Sequence, residues 1–253
     1  MTGDPVSETD GERWIFLRGL TRESRHWGDF VERFRAGRPR AVAECLDAAG
    51  NGTERHRKSF GTIHEYVLDL RRRCQAFADG PVHLCAISLG GMIATAWASA
   101  FPGEVASLTI INTSAANYSP LHHRLQPRSY PVLVRGLVRR EAAVERERAV
   151  LGLVSNRDSA SLERWVAEFA ALPTPTPASF ARQVWAASRY RFPARAPVKR
   201  VLVLRGLGDR LVNPRCSEAI ARAWDAPLES HPTAGHDLPL DDPEWVLARL
   251  GPR

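Results

Sequence analysis

The 253-residue sequence has few of the features that mark metal-binding, secreted or membrane-spanning proteins. Its four cysteines show no CxxC spacing, which argues against the common zinc and redox motifs and favours reduced thiols. No apolar run approaches the roughly 20 residues that a membrane-spanning helix needs. The first dozen residues are polar and acidic, unlike a signal or transit peptide. We therefore expect a cytoplasmic protein without a membrane span.

Two ligand-binding patterns are also missing from the sequence. The chain has no glycine-rich loop that ends in Lys and Ser or Thr, the loop that cradles phosphates in nucleotide hydrolases. His122 and His123 are adjacent, but no cysteine or acidic residue stands at metal-ligand spacing from them. We expect neither a metal ion nor a cofactor, and we place this histidine pair at the surface or at the rim of a pocket.

Six short apolar segments predict a β-sheet. The predicted strands are Trp14–Leu17, Ala41–Cys45, Val82–Ile87, Ala106–Ile111, Val201–Leu204 and Pro227–His231. The first four alternate with helical patterns at Trp27–Arg35, Ile63–Phe77 and Met92–Phe101. Such alternation is typical of a parallel sheet that is covered by helices on both faces. We therefore predict an α/β fold with a mainly parallel sheet of about six strands.

Residues 116–197, which we call the insertion, separate the fourth and fifth predicted strands. Their helical patterns are interrupted by prolines and cover Tyr130–Leu137, Glu141–Leu153, Ser161–Leu172 and Pro177–Tyr190. We accordingly divide the chain into a core, formed by residues 1–115 and 198–253, and the helical insertion.

The positive charge of the chain is concentrated in the insertion, which has 13 arginines against six acidic residues. The remaining chain carries 22 basic and 22 acidic residues. A basic insertion on a neutral body could steer an anionic substrate or an acidic carrier protein. The presence of only two lysines, Lys58 and Lys199, equally fits a general arginine bias. The basic residues are not interleaved with aromatic ones, so we expect no nucleic-acid partner.

Ser88 stands between the predicted strand Val82–Ile87 and the helical segment Met92–Phe101. A serine at the tip of a tight strand-to-helix turn is typical of a nucleophile, because helix N–H groups point at the reacting carbonyl there. The turn requires small residues two positions to either side, and Ala86 and Gly90 occupy those positions. This pattern predicts that an acid and then a histidine follow in the chain.

Both partners occur in that order. Asp209 follows the predicted strand Val201–Leu204 in a glycine-bearing loop, and His236 lies in a loop of small residues near the C-terminus. The order serine, acid, histidine differs from that of the trypsin-like and subtilisin-like proteases. On these residues the chain resembles the α/β-hydrolase superfamily, in particular its small bacterial esterase-like members.

Other acidic residues near His236 compete with Asp209 for the role of the acid. Asp237 is adjacent to the histidine, so its side chain should point elsewhere. Asp241 and Asp242 look like caps of the terminal helix. Asp209 is therefore the preferred acid.

The resemblance also implies an oxyanion hole, formed by the backbone N–H groups of Leu89 and Leu20. Gly19 permits a close approach of the backbone, and we predict that Gly19 and Arg18 contact the substrate. Related proteins usually have a structural, hydrogen-bonding histidine at the position of Arg18. The arginine departs from that pattern, and it could instead reach an anionic group of the substrate.

The resemblance implies a serine hydrolase that cleaves a carboxylic ester or thioester through an acyl-enzyme on Ser88. Its substrate would be a small molecule, whose acyl group could be anionic or carried by a protein, and the insertion would form a cap over the site. The same three residues also serve acyltransferases, carbon–carbon hydrolases and lyases. A non-catalytic binding member of the fold is the alternative outside enzymes. A serine rather than an aspartate at the turn argues against the epoxide-hydrolase and dehalogenase branches.

Overall fold

In the computed structural model, which describes residues 11–74, 80–133 and 142–251, six parallel strands form one sheet. The strands are β1 Arg13–Leu17, β2 Val42–Cys45, β3 Val82–Ile87, β4 Val105–Ile111, β5 Val201–Gly206 and β6 Leu228–His231. Their order across the sheet is β2-β1-β3-β4-β5-β6. The direction of winding reverses between β1 and β3, which creates a crevice at the carboxyl ends of these two strands.

The helices of the core flank the sheet, and those of the insertion follow β4. The core contains α1 Phe30–Gly37, α2 Ile63–Arg73 and α3 Leu89–Ala100. The insertion contributes α4 Leu121–Arg124, α5 Ala143–Val154, α6 Ser159–Ala170 and α7 Pro177–Arg189, and the chain continues with α8 Arg215–Trp224, α9 Leu238–Asp241 and α10 Pro243–Leu247. Short 3₁₀ turns occupy Ser24–Trp27, Gly52–Glu54, Pro102–Glu104 and Pro127–Ser129.

Each face of the sheet buries its own apolar cluster. Ile15 and Leu17 of β1 pack with residues of α2, α3 and α8 on one face. Trp14 and Phe16, the alternate residues of the same strand, pack with residues of α1 and α10 on the other. This alternation follows from the period of two in a strand. The predicted parallel sheet with helices on both faces is therefore confirmed.

The predicted starts of α1 and α3 each differ from the structure by three residues, since α3 begins at Leu89 and not at Met92. The predicted helix Trp27–Arg35 begins three residues too early, because Gly28 has a positive φ of 56° and separates the 3₁₀ turn Ser24–Trp27 from the helix. A Cβ atom at Gly28 would lie 2.7 Å from the Trp165 ring, so the position also lacks room for a side chain. The predicted helix Ile63–Phe77 runs too far, because α2 ends at Arg73 and Cys74 has an extended backbone with ψ 122°. Residues 75–77 and the end of the predicted helix Tyr130–Leu137 lie outside the described residues.

The insertion has an apolar cluster of its own. Trp165 and Phe169 of α6 pack with Leu151 of α5, and Leu240 of the core joins the same cluster. The division of the chain into core and insertion stays a prediction. In the part of the chain that the structure describes, no helix combines the length and the apolar character required to cross a membrane.

Candidate functional site

Ser88 occupies the turn between β3 and α3 in a strained backbone conformation, with φ 58° and ψ −120°. Hydrogen bonds fix both sides of the residue. Its N–H donates to the carbonyl oxygen of Ile111 at 2.9 Å, and the Thr113 hydroxyl donates to the Ser88 carbonyl oxygen at 2.7 Å. Non-glycine residues keep such a conformation only where the surrounding structure holds them there. The sequence therefore located this turn correctly from its small flanking residues.

Gly90 packs directly against the backbone of the loop that follows β1. A Cβ atom at Gly90 would lie 2.4 Å from the carbonyl oxygen of Leu17 and 2.6 Å from that of Arg18. Neither backbone oxygen can move without displacing the loop. The requirement for a small residue two positions after Ser88 thus arises from contact with the neighbouring strand.

We expect Gly90→Ala to destabilise the protein by about 1–3 kcal/mol, the usual cost of forcing extra volume into a packed interior. The measurement is urea unfolding. Gly103→Ala is the matched control, because a Cβ atom at Gly103 would have no neighbour within 4 Å. Equal stability of the two variants would contradict the contact.

Asp209 and His236 form a buried hydrogen-bonded pair. Asp209 follows β5, and its Oδ2 lies 2.7 Å from Nδ1 of His236. The other carboxylate oxygen accepts hydrogen bonds from the N–H groups of Leu211 and Val212 at 2.8 and 2.9 Å. These bonds fix the plane of the carboxylate. The structure thus brings together the predicted acid and the predicted base.

The loop that carries His236 is held from two sides. Asn112, which follows β4, donates to the carbonyl oxygens of Gly235 and His236 at 3.1 and 2.8 Å. The Asp241 carboxylate accepts from the Gly235 N–H at 2.6 Å, and burial raises the pKa of this carboxyl. Asn112 was missed by the sequence analysis. The available signal was its position in the chain. Asn112 directly follows β4, and the last residue of β4 pairs with the last residue of β3.

The insertion also holds the histidine loop. The N–H of Asp237 donates to the carbonyl oxygen of Val154, at the end of α5, at 2.7 Å. Asn156 donates its N–H to the Asp241 carboxylate, and Arg157 donates to the carbonyl oxygen of Leu240 at 2.9 Å. The loop therefore rests on core and insertion together.

The competing acids have other partners. The Asp237 carboxylate binds Arg18, in agreement with the expectation that it has a partner other than His236. Asp242 caps α10 by accepting from the Trp245 N–H at 3.0 Å, which confirms its predicted role. Asp241 caps no terminal helix, since its carboxylate is directed back to the histidine loop. That prediction was wrong because the Gly235 N–H, the Ser155 hydroxyl and the Asn156 N–H already occupy this carboxylate.

Arg18 forms a buried, two-pronged ion pair with Asp237. Its Nη1 and Nη2 donate to Oδ1 and Oδ2 at 3.0 and 2.5 Å, and both side chains are 4% exposed. The guanidinium also lies over the Trp27 ring, 4.9 Å from its centre. Its charge is thus neutralised within the protein. A contact between Arg18 and an anionic substrate group stays a prediction.

Gly19, Leu20 and Leu89 line the same cavity as Ser88, and their contact with a substrate or an oxyanion stays a prediction. A Cβ atom at Gly19 would lie 3.0 Å from the Cβ atom of Ser88, which is closer than ordinary van der Waals contact. The N–H of Leu89 belongs to the first turn of α3, where no intrahelical acceptor exists. Across the ranges 11–74, 80–133 and 142–251, the Leu20 N–H donates no hydrogen bond to the protein. Both amides therefore remain available to a bound oxygen.

Ser88 and His236 line one cavity of about 180 Å³. Its walls are mainly apolar, with Met92 from the core and a set of residues from the insertion: Leu121, Leu125, Val150, Leu153, Phe180 and Val184. A second cavity of about 230 Å³ adjoins it and shares five lining residues, Thr21, Arg22, Leu133, Val150 and Phe180. The Ser88 hydroxyl and the His236 imidazole thus border a mainly apolar space.

A sequence profile described as the alpha/beta hydrolase family matches residues 14–249. The chain belongs to the α/β-hydrolase family. Solved structures support the fold of this α/β-hydrolase. A putative non-heme bromoperoxidase from Mycobacterium tuberculosis is 22% identical, with a TM-score of 0.76 over 94% of this chain and 90% of that one.

Two other similar structures carry different activities in their descriptions. A thermophilic esterase from Thermogutta terrifontis is 19% identical, with a TM-score of 0.70 over 95% and 88% of the two chains. An enol-lactonase from Burkholderia xenovorans is 18% identical, with a TM-score of 0.72 over 96% and 92%. A search among curated proteins finds no match. At these identities the likeness establishes the fold of this α/β-hydrolase, and its reaction must be argued from the site.

Proposed function

We propose that the protein is a serine hydrolase that cleaves a carboxylic ester or thioester through an acyl-enzyme on Ser88. The observation that carries the proposal is the buried Asp209–His236 pair, which opens into the cavity that Ser88 lines from its strained turn. A serine is a weak nucleophile unless a neighbouring base takes its proton. The site supplies that base, together with an acid that orients it.

The reaction follows from these positions. Asp209 accepts a hydrogen bond from Nδ1–H of His236, which leaves Nε2 to remove the proton of the Ser88 hydroxyl. The hydroxyl oxygen attacks the carbonyl carbon, and the oxyanion accepts hydrogen bonds from the Leu20 and Leu89 amides. The imidazolium then protonates the leaving alcohol or thiol. Water, activated by the same histidine, releases the acid in the second half of the reaction.

The walls of the cavity favour an apolar acyl group. Most insertion residues that line the cavity are aliphatic or aromatic, and Arg124 and Ser188 are the polar exceptions. The insertion acts in this proposal as a cap over Ser88. Burial of such a group contributes roughly 25 cal/mol per Å² of apolar surface. We therefore expect esters with apolar acyl chains to be better substrates than esters whose acyl chain is charged.

The test is labelling by a fluorophosphonate probe together with turnover of p-nitrophenyl esters. We expect the label on the peptide that contains Ser88 and no label in Ser88→Ala. Ser114→Ala is the matched control, because Ser114 is buried in the wall of the same cavity and should leave labelling unchanged. Labelling or ester turnover that survives Ser88→Ala would overturn the proposal.

A further inference from the structure

Gln183 of α7 is fully buried and reaches from the insertion into the core. Its Oε1 accepts a hydrogen bond from the N–H of Thr21 at 2.9 Å. Its Nε2 donates to Oδ1 of Asn51 at 2.7 Å and to the Ser59 hydroxyl oxygen at 3.2 Å. A buried amide with every bond directed at the core is costly to misplace, because each lost bond leaves a desolvated polar group. Gln183 therefore has one defined position.

Thr21 is the residue next to Leu20, the proposed oxyanion donor, and its φ is 60°. Residues 19–22 form a tight turn that is closed by the Arg22 N–H donating to the Gly19 carbonyl oxygen at 3.2 Å. A positive φ at the third position of a turn suits glycine or asparagine, whereas a β-branched residue is strained there. The turn that presents Leu20 thus depends on an external partner.

Gln183 is that partner, and its Nε2 is held by two core residues other than Thr21. The Ser59 hydroxyl donates to the carbonyl oxygen of Ala49 at 2.8 Å, so it stands in a fixed place. Asn51 donates to the carbonyl oxygen of Arg22 at 2.9 Å. The donor side of Gln183 is therefore held by the core, while its acceptor side holds the Thr21 N–H.

We propose that Gln183 is a positioning residue, which fixes the strained Thr21 peptide from the insertion and thereby aims the Leu20 N–H at the oxyanion. The proposal rests on the serine-hydrolase function given above. In this arrangement the core alone supplies one oxyanion donor, at Leu89. The second donor becomes effective only when α7 is in place over the core.

The experiment compares Gln183→Met with Ser59→Ala in p-nitrophenyl ester turnover. Q183M keeps the side-chain volume and leaves the Thr21 N–H without an acceptor, whereas S59A removes one bond from the donor side only. We expect Q183M to lower kcat by about 10- to 1,000-fold, up to the loss found when an oxyanion donor is removed, with KM changed less than about threefold. S59A should keep kcat within about threefold of the wild type.

A rescue variant separates positioning from general stability. Thr21→Gly removes the strain, because glycine adopts a positive φ without a Cβ penalty. We expect Q183M/T21G to recover at least about tenfold in kcat over Q183M. Each kcat is divided by the fraction of Ser88 that the fluorophosphonate probe labels at completion, so a partly folded sample still gives a value.

Three results would overturn the inference: equal losses of kcat in Q183M and S59A, a loss confined to KM, or no rescue by T21G. Failure of the proposed function looks different. In that case the wild-type protein itself would not be labelled at Ser88 and would not turn over esters. A wild type that is labelled, with Q183M indistinguishable from S59A, would leave the hydrolase assignment intact and contradict only the role of Gln183.

Discussion

Replacing Ser88 by glycine is expected to abolish ester turnover and to make the protein more stable than the Ser88→Ala variant. Both substitutions remove the proposed nucleophile. Removing the catalytic serine of a serine protease lowers kcat by on the order of 10⁶-fold. They differ in the backbone, because alanine keeps the Cβ atom at φ 58° and ψ −120° while glycine accepts that conformation. The strain at such a residue amounts to about 1–3 kcal/mol.

The expected gain is smaller than the strain, since glycine also loses more backbone entropy on folding, about 0.5–1 kcal/mol. We therefore expect S88G to exceed S88A by about 1 kcal/mol in the free energy of unfolding, measured with urea. Ser114→Gly against Ser114→Ala serves as a control, because Ser114 is not among the residues with a positive φ. If S88G were the less stable of the two Ser88 variants, the turn would hold no strain that glycine can release.

Breaking the Arg18–Asp237 pair is expected to cost about 3–5 kcal/mol in the free energy of unfolding. Arg18→Met leaves a carboxylate that is 4% exposed without its partner, and an uncompensated buried charge is strongly unfavourable. Replacing both residues removes both charges, so R18M/D237M should recover most of the loss. The double-mutant cycle is measured by urea unfolding at one pH.

The Arg33–Glu244 pair is the matched control for this cycle. Its side chains are 49% and 68% exposed, and pairs of this kind contribute about 0–1 kcal/mol. Arg33→Met should therefore leave stability almost unchanged. A loss in R18M no larger than that in R33M, or a double variant no more stable than the singles, would show that the buried pair is not coupled.

The elements of the sheet were readable from the sequence because buried parallel strands are short apolar runs. The predicted strand Val82–Ile87 agrees residue for residue with β3, and the other predicted strands differ from the structure by at most two residues at either end. The Ser88 turn was also readable from neighbouring residues alone, since small residues must flank it. Asp209 and His236 followed from chain order together with this turn.

The contacts that position the site were not readable, because they join residues far apart in the chain. Arg18 and Asp237 are separated by 219 positions, and no local pattern pairs them. The partners of Gln183 likewise come from two core loops, which only the packed fold brings near. The early start predicted for α1 is different, because Gly28 was a visible local signal for a break.

The hydrogen bonds between the insertion and the histidine loop constrain the design of chimeric proteins in which the insertion is replaced. The carbonyl oxygen of Val154 accepts from the Asp237 N–H, and the N–H of Asn156 donates to the Asp241 carboxylate, so both contacts hold the chain that directly follows His236. A transplanted insertion from another α/β-hydrolase would therefore change the support of the base as well as the shape of the substrate cavity. Chimeras at this position need the end of α5 to be transferred together with residues 235–241, so that donor and acceptor atoms stay matched.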